Sequence, residues 1–212
     1  MRGRFLVLLR HGATDWSEDA RFTSSTDVDL SERGTEQARA AARVVATSGL
    51  PWSRVISSPA KRARATADII AAELTPAIPR TDDDRLREID FGPFEGSTVP
   101  EIERGGFADA FARWRHRQRP LYPRGAEPFE EAAGRARAVF EEVRNNETGA
   151  LLVGHGYLWR LMIACCVLDM PLGNLRRLRF DTGRFAVVEF EDEMPRLTLF
   201  NVTDLRAVAS PR

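Results

Sequence analysis

The chain has 212 residues, 43% of them hydrophobic, with no biased tract, so a packed globular chain is expected and a disordered one is excluded. Lys plus Arg and Asp plus Glu both number 31, and the resulting net charge of zero speaks against nucleic acid or an anionic membrane as partner. The basic residues are arginines apart from Lys61; guanidinium forks suit phosphate, although a GC-rich coding bias would give the same enrichment.

Residues 4–9 (RFLVLL) form a short apolar run, the pattern of a strand buried on both faces. The run is too short for a signal-peptide core or a membrane span, so a cytoplasmic location is expected. It ends at Arg10-His11-Gly12. Ser31 is placed as the N-cap of a helix over 32–47. Residues 54–57 read as a second strand, with Ser58 and Pro59 as N-cap and first position of a helix running to about 73. Residues 85–91 are expected to be extended, ending at Phe91-Gly92-Pro93. Residues 99–147 read as helical, with a break over 120–128 where Pro120, Pro123, Gly125 and Pro128 fall. Residues 150–154 are another buried strand, ending at His155-Gly156, and a helix over about 157–168 follows. Segments 185–191 and 196–202 form a hairpin around Asp192–Pro195. Cys165 and Cys166 are neighbours in an apolar run; with no other cysteine in the chain, they fit a reducing compartment and burial as apolar residues.

Strands alternating with helices imply an α/β fold with a mostly parallel sheet and an antiparallel edge. No repeat or linker interrupts the chain, so residues 1–212 are expected to form a single domain, with a cap-like insertion at about 92–128 lying over the sheet. The terminal hairpin offers an edge at which two copies could pair as a homodimer.

Two of the three histidines share one setting. His11 follows LVLLR and precedes Gly12; His155 follows LLVG and precedes Gly156. Each lies just past the C-terminal end of a buried strand, where ligands bind in open α/β sheets. Arg10 adjoins the first histidine. Arg62 lies one turn into the helix after the second strand, whose first amides and positive dipole end would favour an anion. Imidazole suits nucleophilic and proton-transfer work near neutral pH.

The stretch Leu9-Arg10-His11-Gly12-Ala13-Thr14 resembles the opening signature of the histidine phosphatase superfamily, the phosphoglycerate mutase-like enzymes. Further blocks resemble the family in its order: Asp29-Leu30-Ser31-Glu32-Arg33-Gly34 with Gln37; Ser57-Ser58-Pro59 through Arg62-Ala63 to Thr66-Ala67; Leu86 and Glu88 through Gly92 to Glu95-Gly96; and Val153-Gly154-His155-Gly156. The resemblance spans about residues 4–160. It implies a three-layer α/β/α sandwich, a small phosphate ester as substrate, and neither metal nor cofactor. It carries the nucleophile role onto His11, the phosphate pocket onto Arg10, Arg62 and His155, and the general acid role onto Glu88.

The implied chemistry is attack of neutral His11 on phosphorus, giving a phosphohistidine that water then hydrolyses, in the manner of a histidine acid phosphatase. The other ring nitrogen should donate to a fixed acceptor, such as a carbonyl near Gly12. Glu88 would protonate the leaving oxygen, which requires its proton to be favoured by burial beside Phe91 or by the phosphate charge. Thr14, Ser17 and Thr23 are placed near the first motif as substrate contacts; the family often has Asn where Ser17 stands. Gly156 and Tyr157 follow the second histidine, and Trp159 could stack on substrate or pack. Arg113, Trp114, Arg115, His116 and Arg117 form a basic and aromatic cluster, with Arg115 and Arg117 as contacts for an anionic substrate or else a plain charged helix end. Three alternatives stay open: phosphoglycerate mutase-type transfer, a zinc hydrolase disfavoured by the two arginines, and a phosphate-binding protein without turnover.

Overall fold

The computed structural model describes residues 4–116, 122–146, 149–191 and 194–209. In chain order these form β1 (Arg4–Arg10), α1 (Asp15–Glu18), α2 (Glu32–Thr47), β2 (Arg54–Ser57), α3 (Lys61–Glu73), β3 (Arg80–Asp82), α4 (Val99–Arg104), α5 (Ala108–His116), α6 (Phe129–Asn146), β4 (Gly149–Gly154), α7 (Gly156–Cys166), β5 (Phe185–Glu191), β6 (Met194–Val202) and α8 (Arg206–Ala209). Short 3-10 turns cover Asp84–Leu86, Gly92–Phe94 and Leu172–Arg177.

The strands make one sheet in the order β3-β2-β4-β1-β5-β6. The first four run parallel, and antiparallel pairing is confined to the β1–β5 and β5–β6 ladders. β1 is central and fully covered, so alternate residues serve two cores. Leu6 and Leu8 pack with Ala136, Phe140, Trp159 and Met162 of α6 and α7. Phe5, Val7 and Leu9 pack with Ala41, Val45, Ala67 and Ile70 of α2 and α3. Helices therefore sandwich the sheet in three layers. Each fully buried aliphatic side chain here contributes about 2 kcal/mol relative to exposure. A third apolar cluster, holding Phe91, Phe94, Phe111, Trp114 and Phe129, lies under α4 and α5.

Several local expectations need revision. Ser31 caps α2 as anticipated, its hydroxyl accepting from Gly34 N at 3.1 Å. Ser58 does not cap α3: the helix begins at Lys61, Ala60 is its N-cap, and the Ser58 hydroxyl is engaged elsewhere. Residues 85–91 are not evenly extended, because Asp83 accepts from Arg85 N and winds 84–86 into a 3-10 turn. The edge strand β3 has a largely exposed, charged sequence (RTD) without apolar alternation, so nothing in its pattern announced it. Cys165 and Cys166 are free and half-buried rather than buried, with Sγ atoms 3.4 Å apart. Trp114 is core, at 2% exposure, which removes it from the proposed substrate-facing cluster. The Arg115 side chain and Arg117 lie outside the described residues. Among the described residues no helix is long and apolar enough to cross a membrane.

Candidate active site

β1 and β4 are adjacent and in register, Arg10 pairing with Gly154, so the residues that follow them emerge side by side. The His11 and His155 rings meet edge to face with centroids 5.1 Å apart. His11 is tied at its backbone by its N–H to Gly154 O at 2.9 Å and by Gly183 N donating to its carbonyl at 3.1 Å. The Gly12 and Ala13 amides donate to Thr66 Oγ1 and Gln37 Oε1. Both residues were matched in sequence without a role; they hold the loop that carries the histidine.

The ring nitrogens of His11 are distinguished by their partners. Nδ1 lies 2.7 Å from Gly12 O, and a carbonyl can only accept, so Nδ1 carries the proton and Nε2 keeps its lone pair. Burial, followed by the charges of Arg62 and Arg10, holds the imidazole well below its ordinary range and therefore neutral. This is the state a nitrogen nucleophile requires.

Two guanidiniums flank it. Arg62, 1% exposed, is fixed by three carbonyls: Nη1 donates to Thr26 O at 3.1 Å, and Nη2 to Ser24 O at 3.1 Å and Thr23 O at 3.4 Å. Arg10 donates through Nη1 to Phe180 O at 2.6 Å. Burial lowers both, Arg10 to about 10, which leaves each charged at neutral pH. The Nε atoms of Arg10 and Arg62 are buried without a hydrogen-bond partner.

His155, fully buried, places Nε2 2.7 Å from Ser58 Oγ and Nδ1 3.4 Å from Arg62 Nη2. Burial first, then Arg62, His11, Arg10 and Arg135, hold it neutral as well. Glu88 stands at the start of α7, where Oε2 accepts from Tyr157 N and Oε1 from Leu158 N and Ile89 N, each at 3.0 Å. Its charge acts on both Arg10 and Arg62.

A cavity of about 290 Å³ opens over His11, lined by Arg10, His11, Arg62, Glu88 and Gly156; His155, fully buried, is not part of its lining and touches Arg62 behind it. Thr14, Ser17, Thr23 and Tyr157 also line it, so the expected contacts converge apart from the two arginines outside the described side chains. Their tasks differ. Ser17 Oγ donates to Thr14 O at 2.9 Å and accepts from Thr14 N, so it shapes the loop as half of a capping box. Thr14 accepts from Ser17 N and retains its own hydroxyl proton for an acceptor. Thr23 offers its carbonyl to Arg62. Trp159 is buried and donates to Leu9 O at 2.9 Å; it packs and does not touch the cavity.

Three contributors were not foreseen. Arg160 lines the cavity, its Nε donating to Gly156 O at 3.0 Å and its guanidinium lying 3.7 Å over the Tyr157 ring. Its spacing of four from Gly156 on one helix was the available signal. Arg21 also lines the cavity but pairs with Glu101. Ser58 partners His155 rather than capping a helix, and no sequence pattern distinguishes the two roles.

A neutral nitrogen nucleophile facing fixed cationic donors suits transfer of a tetrahedral oxyanion group. The model of the histidine phosphatase superfamily (branch 1) matches residues 6–203. The chain belongs to this family. Among curated relatives of this histidine phosphatase family member, phosphoserine phosphatase 1 of Hydrogenobacter thermophilus is 29% identical over 93% of the chain and 92% of its own length. A 2,3-bisphosphoglycerate-dependent phosphoglycerate mutase of Bradyrhizobium diazoefficiens is 31% identical over 84% of the chain and 87% of its own. Among solved structures, a mycobacterial glucosyl-3-phosphoglycerate phosphatase in complex with VO3 superposes with a TM-score of 0.81 at 29% identity, covering 94% of this chain and 99% of its own. The three-layer sandwich with its mostly parallel sheet is thus the fold of the family.

Proposed function

We propose that this protein is a phosphomonoesterase that takes the phosphoryl group of a small, anionic phosphate ester onto Nε2 of His11 and passes it to water. The observation that carries the proposal is the pairing of a lone-pair Nε2, enforced by Nδ1–H donating to Gly12 O, with Arg10 and Arg62 lining the same cavity as His11. Attack forms the N–P bond as the ester P–O bond breaks. Arg10 and Arg62 take up the negative charge on the equatorial oxygens. Water then attacks the phosphohistidine while Glu88 accepts its proton.

Glu88 bears on both steps. Its oxygens accept from the Tyr157 and Leu158 amides at the start of α7 and from Ile89 N, which hold the carboxyl at the edge of the cavity where it can pass a proton in either step. An acid-phosphatase character is supported by His11, which burial and two guanidiniums keep neutral and nucleophilic well below its ordinary titration range.

A second negative group on the substrate is supported by Arg160. Among the described residues its Nη atoms take no hydrogen bond and no carboxylate pairs with it. Two relatives are named for phosphoserine and glucosyl-3-phosphoglycerate, esters that carry a carboxylate besides the phosphate. Phosphate release from O-phosphoserine, 3-phosphoglycerate and p-nitrophenyl phosphate tests the proposal, with His11→Ala as control. Release by the intact protein that disappears in His11→Ala is expected. Isomerised ester without free phosphate would replace hydrolysis by mutase-type transfer.

A further inference from the structure

Glu95 takes no part in the chemistry above, yet its carboxylate is fully engaged beside the site. It follows the 3-10 turn Gly92–Phe94 at the entry to the insertion, is half-buried, and does not line the cavity. Oε1 accepts from Ser24 N at 3.1 Å and Thr26 N at 3.0 Å. Oε2 accepts from Ser24 N at 2.9 Å and Ser24 Oγ at 2.6 Å. All these donors lie on the loop whose carbonyls, Thr23 O, Ser24 O and Thr26 O, hold the Arg62 guanidinium. Among the described residues no hydrogen bond or ion pair joins Glu95 to Arg62 itself.

A trans peptide points its N–H and its C=O in opposite directions. The Thr23–Ser24 peptide therefore spans the gap: its N–H donates to Glu95 and its carbonyl accepts from Arg62 Nη2. Thr26 does the same through its own N–H and carbonyl. The loop thus turns donors toward the carboxylate and acceptors toward the guanidinium. It is laced to the same segment by backbone, with Phe22 N donating to Ser97 O at 3.0 Å and Gly96 N to Phe22 O at 2.8 Å.

We propose that Glu95 is a positioning residue for the anion clamp: it turns the carbonyls of Thr23, Ser24 and Thr26 onto Arg62 and so fixes the guanidinium fork that grips the phosphoryl oxygens. This rests on the assignment of the cavity as a phosphate site. Standing one peptide away, the carboxylate orders Arg62 without occupying the donors that a direct ion pair would take. Its charge still acts on Arg62 and favours the guanidinium in its buried place. Without the tie, a binding anion would have to order both the loop and a long side chain, and that ordering is subtracted from affinity.

The test is a double-mutant cycle on the full chain, read as kcat/KM for p-nitrophenyl phosphate and as the dissociation constant of inorganic phosphate by titration calorimetry. Glu95→Ala should weaken phosphate binding roughly tenfold or more, as expected when hydrogen bonds to a charged group are lost, and lower kcat/KM with it. Glu95→Gln should restore most of both, because its oxygen can still accept from the Ser24 and Thr26 amides while its NH2 donates to Ser24 Oγ. Arg62→Lys keeps a cation and removes the fork. In that background Glu95→Ala should change either quantity by less than about twofold, whereas independent effects would multiply. Multiplying losses mean that Glu95 only supports the fold, and they overturn the proposal. So does a Glu95→Gln as damaged as Glu95→Ala. If Glu95→Ala does not fold, Glu95→Asp, one methylene shorter with its charge kept, runs the same cycle: a few-fold loss that vanishes in Arg62→Lys is expected, and one that persists overturns the idea. Wild-type protein that neither binds inorganic phosphate nor hydrolyses the ester overturns the phosphate-site assignment and this proposal with it.

Discussion

Gly34 sits in the first turn of α2, where helix propensity alone favours alanine by up to about 1 kcal/mol. Geometry predicts the reverse. A Cβ on Gly34 would lie 1.9 Å from Ala13 O, about 1.6 Å inside the ordinary contact distance of about 3.5 Å. The obstacle is backbone, and it belongs to the loop whose Gly12 carbonyl orients His11. Gly12 faces the same approach from the other side, its own Cβ falling 2.2 Å from Gly34 O. Gly34→Ala must therefore push the loop outward by an ångström or more. Overpacking costs about 1–3 kcal/mol, and the propensity gain offsets part of it. The melting temperature should fall by roughly 2–8 °C for a chain of this size. Activity should suffer more, because displacing a reacting group by about 1 Å costs on the order of 10²-fold. The control is Gly134→Ala on α6, where nothing lies within 4 Å of the added Cβ. That substitution should raise the melting temperature by a few degrees and leave turnover unchanged. The assay is kcat for phosphate release alongside thermal melting of the three proteins. A Gly34→Ala variant indistinguishable from Gly134→Ala would refute the close approach as the reason for glycine.

Three further outcomes follow from the site. Gly156→Ala places a Cβ 3.2 Å from Cζ, Nε and Nη1 of Arg10, so KM should rise roughly tenfold, about 1.4 kcal/mol of binding, with the fold retained by circular dichroism. Arg160→Gln should lower kcat/KM for O-phosphoserine or 3-phosphoglycerate roughly tenfold while sparing p-nitrophenyl phosphate, which has no second anion; equal losses on all three esters would remove Arg160 from selectivity. Stability should depend on pH through the buried histidines. Both are depressed in the folded state, so the unfolded chain binds more protons below its own pKa of about 6.5. Their contribution is fully present above that pH and is lost as pH falls toward the depressed folded values, by up to about 1.4 kcal/mol per pH unit per histidine. Urea midpoints for wild type and His155→Gln between pH 7.5 and 5.5, roughly the window set by the imidazole pKa, should diverge, with the variant the flatter.

How far the sequence reaches depends on whether a residue's role is local. The apolar run of β1, the Ser31 cap and the hairpin of β5 and β6 are settled by neighbours in sequence, and the structure agrees on each. The placing of His11 and His155 past two strand ends was legible because strand termini in a parallel sheet gather at one edge. Roles set by distant partners were not. Ser58 finds His155 at a separation of 97 residues, and Glu88 finds the α7 amides at 69 and 70. The arginine-rich stretch near Trp114 reads as one unit in the sequence, yet Trp114 stacks on Phe111 in the core while Arg113 is exposed. Helical spacing alone does not say which side of a short helix finds a partner layer.

The sequence offers the anion two supports, the guanidiniums of Arg10 and Arg62 and the first amides of the helix after the second strand, and in the structure the amide at the start of that helix is engaged elsewhere. The helix after the second strand was expected to offer its first amides and dipole to phosphate. In the structure Lys61 N, at the start of α3, donates instead to Asp27 Oδ1 at 2.7 Å. The start of α7 is taken by Glu88 in the same way. Both helix ends near the site thus hold carboxylates of the chain itself, and the oxyanion is left to guanidiniums. Those are fixed by carbonyls: Thr23, Ser24 and Thr26 for Arg62, Phe180 for Arg10. A carbonyl orients a guanidinium without neutralising it, whereas a carboxylate in direct contact would cancel the charge that the transferring group needs. Glu88 is near enough to act on both arginines, yet its oxygens are turned to amides. The helix dipoles therefore serve to keep the acidic groups off the arginines, and the positive charge of the cavity survives beside a carboxylate that remains available for proton transfer.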